Sequence, residues 1–387
     1  MKKKLLKNVL RLFSYILVAA VASCMTLFLY APGTEMQKLV QLENLITQRF
    51  IGGADQTRLE DGAAYGMVSA TGDQWSSYIP ASQYEKYLQT MNNQYVGIGI
   101  TISTTLTENG IEVLRLEENG GAKEAGVLAG DCIYKVNGEL VSELGIDRVK
   151  ENISGEIGTT VDITVLRKGQ TYDYTITRKA VSVTVAWGQI LEGNVGYVRI
   201  ENFDERCAQE ALAAIETVLQ QGAKKLIFDV RNNPGGYKKE LVQVLDYLLP
   251  EGEIFHTVNY AGKEQITNSD AACIDLPMAV LVNSQSYSAA EFFAAALREY
   301  EKAIVVGEQT VGKAYFQETY KLCDGSAVSL SVGKYYTPKG VNLVETGGLK
   351  PDVSVPLDAE TAAKIYAQLL NPAEDPQIVQ AIAALAK

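Results

Sequence analysis

From Val195 onward, runs that read as strands alternate with runs that read as helices: "VGYVRI", "AQEALAAIETVLQQG", "KKLIFDV", "KKELVQVLDYLL", "MAVLV", then the alanine-rich segment opening at "SAAEFFAAAL". No other feature constrains the chain as strongly, because strand, helix and strand in repeated succession build a sheet with helices packed on it. Ahead of this region, Tyr95 to about Arg178 carries short alternating runs ("GIGITIS", "IEVLRL", "CIYKVNG", "VDITVLRKG", "YDYTITR") around one helical segment, Asp147 to Ile153. That is the pattern of a small β-rich module. Thr34 to Phe50 and Leu59 to Val68 have helical spacing suited to packing or to a homo-oligomer. "FQETYKL" and "AVSLSVGKYYTP" read as further strands, and the tail from Asp358 reads as helices. The expected class is α/β with a β module, divided at residues 1–33, 34–94, 95–180, 181–357 and 358–387.

The first segment stands apart. Lys2, Lys3, Lys4, Lys7 and Arg11 precede twenty uncharged residues, Leu12 to Ala31, closed by Pro32-Gly33. A helix of that length spans about 30 Å, the thickness of a bilayer's hydrocarbon core. The segment is expected to be a single membrane anchor with its basic end in the cytoplasm and the soluble domains outside. "VASC", Val21 to Cys24, offers the rival reading of a lipoprotein processing site, but the apolar run continues past it through "MTLFLY". Without the basic tail, 30 Lys and Arg face 46 Asp and Glu, a net charge of −16, which excludes a nucleic-acid partner. Cys132, Cys207, Cys273 and Cys323 are widely spaced, so neither a metal site nor a cofactor is expected.

The stretch "NSQSYSAAEFFAAAL", Asn283 to Leu297, ends the apolar run Met278–Val282 and opens a helix. Ser288 followed by Glu291 is the S-x-x-E of a capping box, and a side chain at a strand-to-helix junction is also exposed beside unpaired N–H groups. The chain has one histidine, His256, so a serine nucleophile here would need that residue or another kind of base. A helix of about twelve residues and a five-residue return strand, "AIVVG", have nearly equal lengths, which brings the chain back to the level of Ser288 as it enters "EQTVGK". Lys313 is the resulting neighbour. "GEQTVGKA" nearly matches a phosphate-binding loop, but Ala314 stands where a hydroxyl must hold magnesium and a strand follows where a helix is required. "FDVRNNPGGY", Phe228 to Tyr237, is a strand and turn whose paired glycines allow backbone N–H groups to approach a carbonyl oxygen closely. "YVGIGI", Tyr95 to Ile100, is a glycine-bracketed loop leading into a strand, a form that can bind a peptide's terminal carboxylate.

These motifs in this order resemble the C-terminal processing peptidases, tail-specific serine-lysine proteases with an inserted PDZ domain. The resemblance runs from "GMVSATGDQWSSYIP" to "GGLKPDVSV", Gly66 to Val355. It implies a PDZ domain ahead of a crotonase-like α/β protease core and an endopeptidase acting on protein or peptide substrates with apolar C-termini. It further implies Ser288 as nucleophile, Lys313 as general base and Gln317 orienting that lysine, with 313, 315 and 317 on one face of a strand. The N–H of Ala289 and one from Gly235 or Gly236 would form the oxyanion hole, and Gly97, Ile98, Gly99 and Ile100 the peptide-binding loop. Ser286-Tyr287-Ser288 stands where the family usually has Ser-Ala-Ser. A lysine of ordinary pKa, ~10.4, is neutral about once in 2,500 molecules at pH 7, so a lysine base needs burial to lower it. Two other readings fit parts of the pattern: an inactive PDZ scaffold and an acyl-transfer enzyme of the crotonase type.

Overall fold

The computed structural model describes residues 13, 15–18, 21 and 34–386. Apart from helical positions 13, 15–18 and 21, the expected anchor over Leu12 to Ala31 lies outside the described residues. Among the described residues no helix is long and apolar enough to cross a membrane.

The chain divides into two compact units, Met1–Tyr78 and Ile79–Lys387. In the first, helices Thr34–Arg49 and Gln56–Ser69 form where helical spacing is expected, the second starting at Asp55, whose carboxylate accepts from Arg58 N–H at 2.9 Å. Val40, Leu42, Leu45, Tyr65 and Met67 remain exposed along them.

In the second unit, the β-rich module is an antiparallel sheet of Ile100–Thr107, Gly110–Leu116, Cys132–Val136, Thr160–Arg167 and Gln170–Thr177, in that order, with Glu139–Leu140 pairing Cys132–Val136. Its core holds Ile98, Ile111, Val113, Ile133, Val149 and Ile163. The helix Ile146–Ile153 starts one residue earlier than the spacing indicates, after Gly145. A separate ribbon, Gln94–Gly97 against Lys179–Ser182, carries the chain in and out of the module.

The α/β core is a six-stranded sheet ordered Ala186–Leu191, Val195–Ile200, Lys225–Asp229, Met278–Val282, Ala303–Gly307 and Val353–Ser354. All neighbours are parallel except the first pair. Its central strands are mostly apolar because both faces are covered. Leu226, Phe228, Met278, Val280 and Val282 face helices Cys207–Gln220, Lys238–Leu248 and Ala289–Glu299. Ile227, Ala279 and Leu281 alternate to the opposite face and pack on Ile378, Ala381 and Leu385, in and just after the C-terminal helix Pro376–Ala384. Beside this sheet, Ala327–Tyr336 pairs antiparallel with Tyr315–Lys321 on one side and Gly252–Asn259 on the other, and Gly252–Asn259 pairs with Glu264–Ser269. The hairpin formed by these last two strands was not expected from the sequence, since most of Glu264–Ser269 faces solvent and lacks an apolar alternation.

Candidate active site

Val282 pairs with Gly307 in the parallel register, so the chain leaving Met278–Val282 and the chain leaving Ala303–Gly307 emerge side by side at one end of the sheet. Two loops grow from this end, 283–288 and 308–314, and they are joined by Val311 N–H donating to the Ser286 carbonyl at 3.2 Å. The three serines of the first loop have different surroundings. Ser284 is exposed. Ser286 is fully buried, its hydroxyl donating to the Val230 carbonyl at 2.7 Å and accepting from Asn283 N–H at 3.0 Å, and so pins the loop. Ser288 sits at the N-cap of Ala289–Glu299 with φ 57° and ψ −123°. Positive φ in a residue with a side chain costs of order ~1–3 kcal/mol and persists only where neighbours enforce it.

Glu291 does the enforcing. It is fully buried in the first turn of the helix, and its Oε2 accepts Ser288 N–H at 2.9 Å and Lys313 N–H at 2.8 Å. Its Oε1 accepts Gly312 N–H at 2.7 Å and a short bond from the Thr310 hydroxyl. One carboxylate oxygen therefore holds the backbone of both Ser288 and Lys313. Burial pushes the Glu291 carboxyl above its ordinary range, and these four donors oppose the push. Lys313 reaches back toward the same turn, with its Nζ 5.7 Å from the centre of the Tyr287 ring.

Lys313 precedes the strand Tyr315–Lys321, so of the three positions expected on one strand face only Tyr315 and Gln317 belong to the strand. Opposite Phe316 and Gln317 the register shifts, with Val332 as the extra residue in the partner strand Ala327–Tyr336. Gln317 Nε2 donates to the Ser331 hydroxyl at 3.0 Å and the Tyr315 carbonyl at 3.3 Å.

The turn after Lys225–Asp229 meets the serine loop from the other side. Asn232 and Asn283 exchange bonds of 2.9 Å, and Tyr287 N–H donates to the Asn233 carbonyl at 3.1 Å. Gly235 has φ 94°, and a Cβ there would lie 2.8 Å from Ser288 Cβ and 2.9 Å from Ala289 N. Gly235 N–H is engaged by the Asn233 side chain at 2.8 Å, whereas among the described residues the N–H groups of Gly236 and Ala289 have no acceptor. Behind the turn, Asp229 is fully buried and bound by Arg199 at 2.9 Å, Arg231 at 2.5 Å and the Tyr197 hydroxyl at 2.7 Å. Burial works to raise its carboxyl, but the two guanidinium groups outweigh it and hold Asp229 well below the usual carboxylate range. Nothing in the local sequence distinguishes this aspartate; its arginine partners, two and thirty residues away, are brought to it by the fold.

A recess opens beside Ser288, lined by Gly236, Lys238, Leu241, Phe255, Ala289, Phe292 and Tyr335. His256 does not line it; its Nδ1 lies 2.8 Å from Glu253 Oε1 and its ring stacks on Tyr336 at 4.7 Å. A larger cavity of about 170 Å³ lies on the sheet's opposite face against Trp187, Tyr197 and Ile378, where Arg199 and Arg231 are already paired with Glu201, Asp229 and Asp375.

In the β module, Gly97 ends the strand Gln94–Gly97, Ile98 is buried, Gly99 has φ 79°, and Ile100 opens the edge strand. Gly99 admits no side chain, since a Cβ there would lie 2.4 Å from Gly120 Cα. Tyr95 was missed by the sequence reading. Its ring lies over Gly97, and its hydroxyl is pushed up to about 12 by burial and by Glu117, while the nearby N–H groups of Ile100 and Gly99 act in the opposite sense.

The profile of Peptidase family S41 matches residues 194–355, and that of a PDZ domain matches residues 97–177. The chain is 30% identical over 370 residues to the carboxy-terminal processing protease CtpA of Bacillus subtilis, covering 91% of this chain and 78% of the relative. It is also 30% identical to the carboxyl-terminal-processing protease of Synechocystis sp., covering 85% of this chain and 78% of the relative. The solved structure of a photosystem II D1 C-terminal processing protease superposes with a TM-score of 0.50 at 25% identity, over 84% of this chain and 94% of that one. The chain thus belongs to peptidase family S41, a family of serine peptidases, and carries a PDZ domain ahead of its peptidase domain.

Proposed function

We propose that this protein is a membrane-anchored endopeptidase that recognises the C-terminal segment of protein substrates and cuts it with a Ser288–Lys313 dyad. The observation that carries the reading is the shared Glu291 oxygen, which fixes the backbone of both residues, with Ser288 beside the recess. Ser288 Oγ attacks the scissile carbonyl and its proton passes to Lys313 Nζ. The N–H groups of Gly236 and Ala289, which lack protein acceptors among the described residues, stabilise the oxyanion. Lys313 gives the proton to the leaving amine, then takes one from the water that hydrolyses the acyl-enzyme. Gln317 orients the lysine. For this cycle Lys313 must be neutral in the resting enzyme, and its partly buried position is suited to that.

In this reading residues 95–180 are the recognition module and 181–357 the catalytic core, flanked by 34–94 and 358–387. The loop Gly97, Ile98, Gly99 and Ile100 takes the substrate's terminal carboxylate, and the substrate adds a strand to the edge Ile100–Thr107. Residues 1–33 hold the enzyme at the membrane with the domains outside, as the basic tail and uncharged run indicate. The test is intact-mass analysis of a protein substrate with an apolar tail, presented as free acid and as amide. Fragments lost from the C-terminal end, faster from the acid, support the proposal. Equal cutting of both forms contradicts the recognition step, and an untouched substrate contradicts the whole. Protease added to intact cells should digest the domains; a chain beginning at lipid-modified Cys24 contradicts the uncleaved anchor.

A further inference from the structure

The recess beside Ser288 contains one cationic side chain that the proposed cycle does not use. Lys238, the first residue of helix Lys238–Leu248, lines it with Leu241, Phe255, Phe292 and Tyr335. Its Nζ lies 5.1 Å from the centre of the Phe255 ring. Burial alone lowers this ammonium from the ordinary lysine range, with no acid acting on it. A partly desolvated cation facing an aromatic ring is incompletely compensated, and a carboxylate is the group that would complete it through a charge-assisted hydrogen bond. The free space is small, about 10 Å³, on the order of one water, so any side chain that enters must open it, and a short one opens it least.

We propose that Lys238 makes this recess a specificity subsite for the residue on the N-terminal side of the scissile bond, and that it selects a short acidic side chain, aspartate before others. The proposal rests on Ser288 being the nucleophile and takes the recess, which Gly236 and Ala289 also border, as the acyl side of the cut. A lysine that only lent its methylene stem to an apolar pocket, with its ammonium turned to water, would select an apolar residue instead.

The test uses the full chain and a set of peptides of one sequence that differ only at that position, carrying Asp, Asn, Leu or Lys, with cleavage followed by mass spectrometry. Asp and Asn are nearly isosteric, so their ratio reads charge. The expected kcat/KM for Asp exceeds that for Asn by about tenfold, the effect of one charge-assisted hydrogen bond. Lys238→Glu should invert the order, so that Lys becomes the better residue than Asp. Equal rates for Asp and Asn in the wild type overturn the proposal, as does a preference that survives Lys238→Glu. Cleavage without charge preference overturns this inference alone, whereas failure to cleave any member of the set overturns the assignment of the site as well.

Discussion

The two loops that the proposed function assigns to substrate oxygens are built in opposite ways. At the peptidase site, the Asn233–Gly236 turn and the Ser288 loop are locked by buried side chains: Asn233 holds Gly235, Glu291 holds Ser288 and Lys313, and Asp229 with two arginines underlies the turn. The donors of Gly236 and Ala289 are left open within this frame. In the PDZ module, Gly97–Ile100 packs against Gly120, and the hydroxyl of Tyr95 lies near the donors of Gly99 and Ile100. Donors that stabilise a fleeting oxyanion act best when fixed beforehand, because no reorganisation is then needed during the reaction. Donors that bind a stable carboxylate can afford a neutral cover that the ligand displaces.

The largest effect expected from breaking this arrangement is that of Gly235→Ala. Its Cβ would meet Ser288 and the Ala289 nitrogen below 3.0 Å at a positive φ, so kcat/KM should fall by about 10² to 10³, the effect of losing an oxyanion donor. A near-normal rate would show that the turn does not border the reacting carbonyl. Asp229→Asn comes next and acts on stability. It leaves Arg199 and Arg231 without their shared counter-charge, for a loss of about 3–5 kcal/mol in denaturant unfolding. Because the folded carboxyl is held below the unfolded value of about 3.9, the stabilisation is complete above that pH and is lost as pH falls through the folded range. The gap between wild type and variant should accordingly narrow only in acid; a gap that narrows toward neutral pH contradicts the assignment.

Glu291→Gln sharpens the contrast at the peptidase site. The amide keeps one acceptor oxygen but turns a donor toward N–H groups, so the serine and lysine loops lose their common anchor. A fall of about 10- to 100-fold in kcat with little change in KM is expected, since geometry in the transition state is what is disturbed. The smallest effect belongs to the other loop. Tyr95→Phe removes the covering hydroxyl and should tighten binding of an apolar C-terminal peptide several-fold by calorimetry; weaker binding would mean that the hydroxyl supports the loop rather than covering it.

Periodicity and caps made much of this legible in the sequence. The run Met278–Val282 and the strand–helix alternation are visible because they depend on neighbours in the chain, and Ser288 with Glu291 reads as a cap for the same reason. What the sequence hid depends on partners far along it. Glu291 reads as a capping residue, yet it also accepts from Thr310, Gly312 and Lys313, which reach it only after the sheet has formed. Choosing between Gly235 and Gly236 needs the Asn233 side chain in place. The bulge opposite Phe316 and Gln317 has its extra residue, Val332, in the partner strand, and no local signal announces it. Lys238 looks like an ordinary first-turn residue until Phe255 and Tyr335, from separate strands, close a recess around it.

The central claim is that Ser288 and Lys313 together perform the hydrolysis, and the most direct measurement is kcat/KM on one cleavable peptide across pH for wild type, Ser288→Ala, Lys313→Arg and His256→Ala. The account predicts a wild-type rate that rises with pH as the lysine becomes neutral. Ser288→Ala and Lys313→Arg should each fold and lose at least about a thousandfold in rate, because a guanidinium cannot take the proton. His256→Ala should stay near wild type, its ring being occupied by Glu253 and Tyr336. A Lys313→Arg enzyme that retains its rate, beside a His256→Ala enzyme that loses it, would contradict the account and make the histidine the base.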